Sequence, residues 1–127
     1  MKKVLIVDDV RGWQEQHYVI LKELLGDDVV FVMASSAREA YDIVYNNINE
    51  PFDIIVTDLQ MEEDFAPKYA GEWLVEQIKL LKQYQATRIV IISATYNIRL
   101  IAESYGVQYL SKSVAAKFPQ SYLDVVL

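Results

Sequence analysis

Three aspartates, Asp8, Asp9 and Asp58, stand where apolar, β-branched runs of the chain stop. Lys3 to Val7 ends at the pair Asp8-Asp9, and Phe52 to Thr57 ends at Asp58. Arg88 to Ile92 ends at Ser93, and Val107 to Leu110 is followed two residues later by Lys112. Runs of this kind are the pattern of buried strands, and in a parallel sheet with helices between its strands all the carboxyl ends lie on one edge. Asp8, Asp9, Asp58, Ser93 and Lys112 are therefore expected to converge on one crevice. Carboxylates gathered there repel one another by about 4 kcal/mol per pair at about 4 Å and an effective dielectric near 20, a cost that a hard divalent cation removes. Mg²⁺ takes one or two carboxylates and completes its shell with water and phosphate oxygens, so an all-oxygen site of Asp9, Asp58 and a nearby backbone carbonyl suits it. Asp58 then reads as a nucleophile towards a phosphoryl group, with Lys112 and the Ser93 hydroxyl supplying charge and a hydrogen bond to the phosphoryl oxygens.

The elements that must position these groups can be read in order. A first strand over about 3–7 leads to a helix opening near Arg11, with Trp13, His17, Ile20, Leu21, Leu24 and Leu25 on one face and Gly26 as its stop. Residues 29–33 read as a second strand, and Ser36 with Glu39 three residues later as a capping box opening a second helix that buries Ala37, Ala40, Tyr41, Val44 and Ile48. After Asp58 the stretch from Gln60 to Gly71 fits neither period. A third helix is expected over about 71–84, a fourth strand over 88–92, and a short fourth helix with Ile98, Ile101, Ala102 and Tyr105 in phase, closed by Gly106. Strand five covers 107–110. Pro119 should start a last helix over 120–126, because proline is tolerated in a first turn; residues 113–118 are ambiguous. Five strands alternating with helices predict an α/β fold: a doubly wound five-stranded parallel sheet in the order 2-1-3-4-5 with helices on both faces. That order puts Asp8, Asp9 and Asp58 at the switch point between strands 1 and 3.

Bulk properties narrow the class. A chain of 127 residues is one ordinary domain. It has no cysteine, which excludes disulfides and thiolate metal sites and is what a reducing cytoplasm permits. The apolar run after Met1 is too short for a signal-peptide core or a membrane span, so a cytoplasmic protein with no membrane association is expected. A net charge of −6 argues against direct nucleic-acid binding, which needs a basic surface.

Taken together, Val7-Asp8-Asp9, Asp58-Leu59-Gln60-Met61, Ile92-Ser93-Ala94 and Tyr109-Leu110-Ser111-Lys112 resemble the receiver domain of two-component response regulators, a chemotaxis-regulator-like, flavodoxin-like fold. The resemblance spans residues 1–127. It implies a phosphorelay switch in which Asp58 accepts a phosphoryl group from a histidine kinase or a His phosphotransfer protein. It implies Mg²⁺ held directly by Asp9 and Asp58, by Asp8 through water, and by the Gln60 backbone carbonyl. Ser93 and Tyr109 would form the switch pair, the hydroxyl moving towards the phosphate and the ring rotating inward, and the surface of helix 4, strand 5 and helix 5 would control a downstream protein. The only catalysis implied is the domain's own phosphoryl transfer and autodephosphorylation. Pairing with a second copy on phosphorylation, and whether the domain acts alone or within a longer chain, are left open.

The chain also departs from the family. The usual glycine about eight residues after the acceptor is delayed to Gly71, thirteen residues on, so the loop carrying Glu62, Glu63 and Asp64 is about five residues longer and is expected to hang near the pocket, favouring the cation or repelling a donor. The stretch from Ser93 to Lys112 is about three residues shorter. Ser113 replaces the common proline after the lysine, so no cis peptide is forced there. Gln60 and Thr95 occupy positions that influence access of the attacking water. Three rival functions suit an α/β fold: a phosphorylation-independent interaction module, a flavin or nucleotide carrier, and a Mg²⁺-dependent aspartyl phosphohydrolase, which would want a second acid where Gln60 stands. A nucleotide carrier would want a Gly/Ser/Thr-rich loop in place of Asp8-Asp9-Val10-Arg11. Singly, Asp58 reads as a strand-end cap, Lys112 as a solvated lysine, His17 as a satisfied boundary histidine, Trp13 and Trp73 as packing, and the acidic run as a solvated loop.

Overall fold

A computed structural model describes all 127 residues. Five parallel strands, β1 (Lys2–Val7), β2 (Val29–Ala34), β3 (Ile54–Thr57), β4 (Arg88–Ser93) and β5 (Gln108–Ser111), form one sheet in the order β2-β1-β3-β4-β5. The predicted fold and strand order are those observed. Between and after the strands run α1 (Arg11–Leu25), α2 (Ala37–Asn46), α3 (Ala70–Leu80), α4 (Ile98–Tyr105), α5 (Lys112–Lys117) and α6 (Ser121–Val126).

Side-chain alternation along the strands divides the core in two. Leu5, Val7, Ile55, Ile89 and Ile91 pack with α2, α3 and α4 on one face of the sheet. Val4, Ile6, Ile54, Val56, Val90 and Ile92 pack with α1 and α6 on the other. All four residues of β3 are buried, so the central strand reads as a continuous apolar run, as a strand covered on both faces must.

The differences from the sequence reading have local causes. β5 sits one residue later than expected, with Ser111 opposite Ser93, so Lys112 follows the strand directly and its side chain is delivered to the sheet edge. The ambiguous residues form α5, capped where Ser111 Oγ accepts the Val114 N–H. α3 ends at Leu80 and not at Tyr84: Leu81 turns extended, and a separate 3₁₀ turn over Lys82–Tyr84 buries the Tyr84 ring, whose hydroxyl donates to Val44 O at 2.8 Å. The single cis peptide is Ala66–Pro67, and the peptide after Lys112 is trans.

Candidate functional site

The carboxyl ends of β1, β3 and β4 and the residue after β5 bring Asp8, Asp9, Asp58, Ser93 and Lys112 to one edge of the sheet. Asp8 extends β1, its N–H donating to Ala34 O, and its Oδ1 accepts the Val10 N–H at 2.9 Å, which turns the chain into α1. Asp58 is tied to β1 by its own N–H on Val7 O, and its Oδ1 accepts the Leu59 N–H at 2.7 Å. The chain then leaves the edge and returns at Gly71. There the Gly71 N–H donates to Leu59 O, and a Cβ would lie 2.0 Å from the Asp58 carbonyl oxygen. A residue with any side chain cannot make that approach, so the first turn of α3 can lie against the Asp58 backbone only through glycine.

Asp8 and Asp58 are buried, Asp9 is exposed, and carboxylate oxygens of all three lie within 4.8 Å of one another. Lys112 is the counter-charge. Its Nζ is 2.9 Å from Asp58 Oδ2 and 3.0 Å from Asp8 Oδ2, and it lies 5.0 Å from the centre of the Trp13 ring. Burial pushes the Asp8 carboxyl above its ordinary range, against the Val10 N–H and Lys112, which favour the anion. For Lys112, burial works against the charge, but the neighbouring carboxylates of Asp58 and Asp8 outweigh it and hold the pKa above the usual lysine value. Three carboxylates and one ammonium leave a formal charge of −2 at the edge. At an effective dielectric near 20, a carboxylate pair about 4.8 Å apart repels by about 3.5 kcal/mol.

The donor set fits a hard divalent cation on one observation in particular. Asp8 Oδ2 is buried and accepts no aligned hydrogen bond: the Lys112 ammonium sits at ion-pair distance but off the direction a hydrogen bond needs. An anionic oxygen with spare capacity, beside two more carboxylates, is the all-oxygen environment that Mg²⁺ takes.

Ser93 is buried and shares a hydrogen bond of 2.9 Å with Thr95 Oγ1. Tyr109 lies on the surface of β5 with 36% of its area exposed. Gln60 is exposed at the start of the long loop.

That loop does not do what its acidic run suggested. Glu62 turns away from the carboxylates, and its two oxygens accept the Ala37 and Arg38 N–H groups at 2.8 and 3.2 Å, capping α2 from another part of the chain. Asp64 pairs with Arg38, whose guanidinium also lies over the Phe65 ring, and Phe65 stacks on Trp73 with centroids 4.5 Å apart. Free helix N–H groups and the positive end of the α2 dipole attract the carboxylate more strongly than a site already holding three anions. The loop borders an open cavity of about 540 Å³ lined by Gln60 to Glu63 and Ala66 to Ala70.

Sequence reasoning missed the contact of Lys112 with Trp13 and the partners of His17. His17 is not at a boundary but 1% exposed, with Nδ1 2.7 Å from the Tyr122 hydroxyl. Burial, reinforced by the Lys112 charge and opposed by Asp58, lowers its pKa to about 4, so it is neutral at neutral pH. The only signal in the sequence was a lone histidine on an apolar helix face.

No family model matches the chain, and no curated protein matches it in sequence. Solved structures do match. The chemotaxis response regulator CheY4 of Vibrio cholerae is 23% identical with a TM-score of 0.73, over 100% of this chain and 99% of that one. A signal receiver domain of a two-component histidine kinase from Clostridium thermocellum is 18% identical with a TM-score of 0.75, over 98% of this chain and 93% of its own. A chain in the co-crystal structure of the Saccharomyces cerevisiae histidine phosphotransfer protein Ypd1 with the receiver domain of Ssk1 is 21% identical at a TM-score of 0.66, covering 87% of this chain and 78% of that chain. The fold is the receiver fold.

Proposed function

We propose that this domain is a phosphorylation-dependent signalling switch whose acceptor is Asp58. The observation that carries the reading is the buried ion-pair cluster at the switch point, where one ammonium, Lys112, bridges Asp58 and Asp8 beside exposed Asp9. The phosphodonor is a histidine kinase or a His phosphotransfer protein, the kind of partner present in the Ssk1 structure.

In the transfer, an Asp58 carboxylate oxygen forms a bond to phosphorus as the bond from phosphorus to the donor's imidazole nitrogen breaks, and the imidazole leaves with the electron pair and takes a proton. The Leu59 N–H fixes the plane of the carboxylate, and Lys112, already on Asp58 Oδ2, stays with the phosphoryl oxygens as their charge grows. Asp8, Asp9, Asp58 and the Gln60 carbonyl would hold Mg²⁺, which neutralises charge between acceptor and phosphoryl group. Hydrolysis of the acyl phosphate returns the domain to its resting state.

Phosphorylation adds about −1.5 to −2 charges and three acceptor oxygens. Ser93 gives up Thr95 for one of those oxygens, and the ring of Tyr109, outward in this state, turns into the space vacated. The output face is α4, β5 and the helices after it, where Tyr96, Leu100, Tyr109, Val114 and Phe118 are exposed. No helix is long and apolar enough to cross a membrane, and the domain is proposed to work in the cytoplasm.

Incubation with Mg²⁺ and a small acyl-phosphate donor, read by intact mass, tests the proposal. A phosphoryl adduct that disappears in Asp58→Ala and on chelation of the metal is expected. No adduct, together with no binding of a beryllium fluoride phosphoryl mimic, would leave a phosphorylation-independent interaction module on the same fold.

A further inference from the structure

The polar cluster does not end at Asp8. Beneath it, between the sheet and α6, a buried chain of polar groups runs from Asp8 through His17 to Tyr122. His17 Nδ1 lies at hydrogen-bond distance, 2.7 Å, from the Tyr122 hydroxyl, and His17 Nε2 lies 3.9 Å from Asp8 Oδ2, beyond hydrogen-bond length but close enough for its N–H dipole to act on the carboxylate. Both side chains are essentially inaccessible to solvent, so neither can exchange its partner for water. A neutral imidazole has one donor and one acceptor nitrogen. The Tyr122 phenol, kept protonated by burial, donates to Nδ1, which places the imidazole proton on Nε2, facing Asp8. The opposite tautomer would aim a lone pair at a carboxylate oxygen and leave the phenol proton without this acceptor.

Asp8 Oδ2 is the oxygen without an aligned hydrogen bond, and Lys112 and His17 are the only basic side chains within 4 Å of it. Lys112 is shared with Asp58 and is drawn towards any phosphoryl group that arrives there. His17 is not shared, because Tyr122 holds it from behind.

We propose that His17, oriented by Tyr122, is a positioning residue for Asp8, fixing its carboxylate towards the cation site and making α6 part of that site's support. The inference rests on the reading of Asp8 as a member of a cation site. Hydrogen-bonded partners behind a direct metal ligand change affinity by roughly ten- to hundredfold when removed, and a 3.9 Å contact behind a carboxylate that reaches the cation through water should give a smaller, severalfold effect.

The test is Mg²⁺ binding to the full chain by calorimetry, with nitrogen NMR of the His17 ring. Wild type is expected to show the Nε2–H tautomer and a His17 resonance that moves on Mg²⁺ saturation. Affinity should fall severalfold in His17→Leu and in the milder Tyr122→Phe, and His17→Gln, whose amide can still turn an N–H towards Asp8, should recover part of it. Val126→Ala, on the same helix but in the apolar core, should lose stability and keep its affinity. An Nδ1–H tautomer would overturn the inference. So would wild-type affinity in folded Tyr122→Phe, or an equal loss in Val126→Ala. Failure of the wild type to bind Mg²⁺ at all would overturn the cation-site reading and this inference with it.

Discussion

Substituting alanine at two glycines should give effects of opposite sign, and the comparison tests how tightly α3 is pressed on Asp58. At Gly71 a Cβ would stand 2.0 Å from the Asp58 carbonyl oxygen, 2.8 Å from Leu59 Cα and 2.9 Å from the Asp58 carbonyl carbon. Non-bonded atoms settle at about 3.5 Å, so the first turn of α3 and the acceptor's backbone must part by more than about 1 Å. All three obstructing atoms are backbone, with no flexible side chain to give way. Overpacking of this kind costs about 1–3 kcal/mol and occasionally more. Removing a helical glycine returns only about 1 kcal/mol, and with three backbone atoms obstructing the Cβ the cost lies at the top of that range, so a net loss of up to about 2 kcal/mol is expected for Gly71→Ala. At Gly12, in the exposed first turn of α1, a Cβ would meet nothing within 4 Å, and Gly12→Ala should stabilise by about 0.5–1 kcal/mol. Urea unfolding followed by tryptophan fluorescence reads both. The displaced Asp58 should also slow phosphorylation in Gly71→Ala and not in Gly12→Ala. Equal stability of the two variants would refute the close approach of α3 to Asp58.

Glu62→Ala should cost about 0.5–2 kcal/mol by leaving the Ala37 and Arg38 N–H groups of α2 without their acceptor, while leaving Mg²⁺ affinity unchanged, because that carboxylate faces helix amides and not the aspartates. A thermal melt and a calorimetric titration would separate the two effects. Mg²⁺ at a hundred times its dissociation constant should stabilise the wild type by about 2.7 kcal/mol, and Asp9→Asn should lose most of that gain in urea melts. Tyr122, whose pKa burial pushes up to about 12 from 10, gives stability that is fully present below pH 10 and is lost as pH climbs through 12, about 2.7 kcal/mol in all. Alkaline unfolding of Tyr122→Phe should lack that component. Deleting Glu62 to Pro67 should change which phosphodonors are accepted, in a panel of labelled donors; unchanged transfer from every donor would contradict it.

The architecture was legible because strands buried on both faces leave an unmistakable trace: the three apolar runs of β1, β3 and β4, each stopping at a polar residue, mark the sheet edge and four of its groups, while Lys112 follows β5, a largely exposed edge strand. Period alone could not fix what long-range contacts decide. Lys112 reaches Asp58 because β5 runs one residue further than its apolar run, a register set by pairing with β4. Glu62 was read as part of a solvated acidic run near the pocket, and its partners, the amides of Ala37 and Arg38, lie on an element that its own sequence neighbourhood cannot reveal. The delayed Gly71 was visible as a spacing, but the backbone contact that requires it appears only once α3 is packed. His17 reads as a boundary residue in the sequence because nothing around position 17 points to Tyr122, more than a hundred residues away.

The central claim is that Asp58 itself becomes the acyl phosphate. Reduction with borohydride after phosphorylation converts an aspartyl phosphate to homoserine, and peptide mapping then locates it. Homoserine is expected at position 58 alone, dependent on Mg²⁺ during phosphorylation. Homoserine at another position, or a phosphorylated chain with position 58 unreduced, would contradict it.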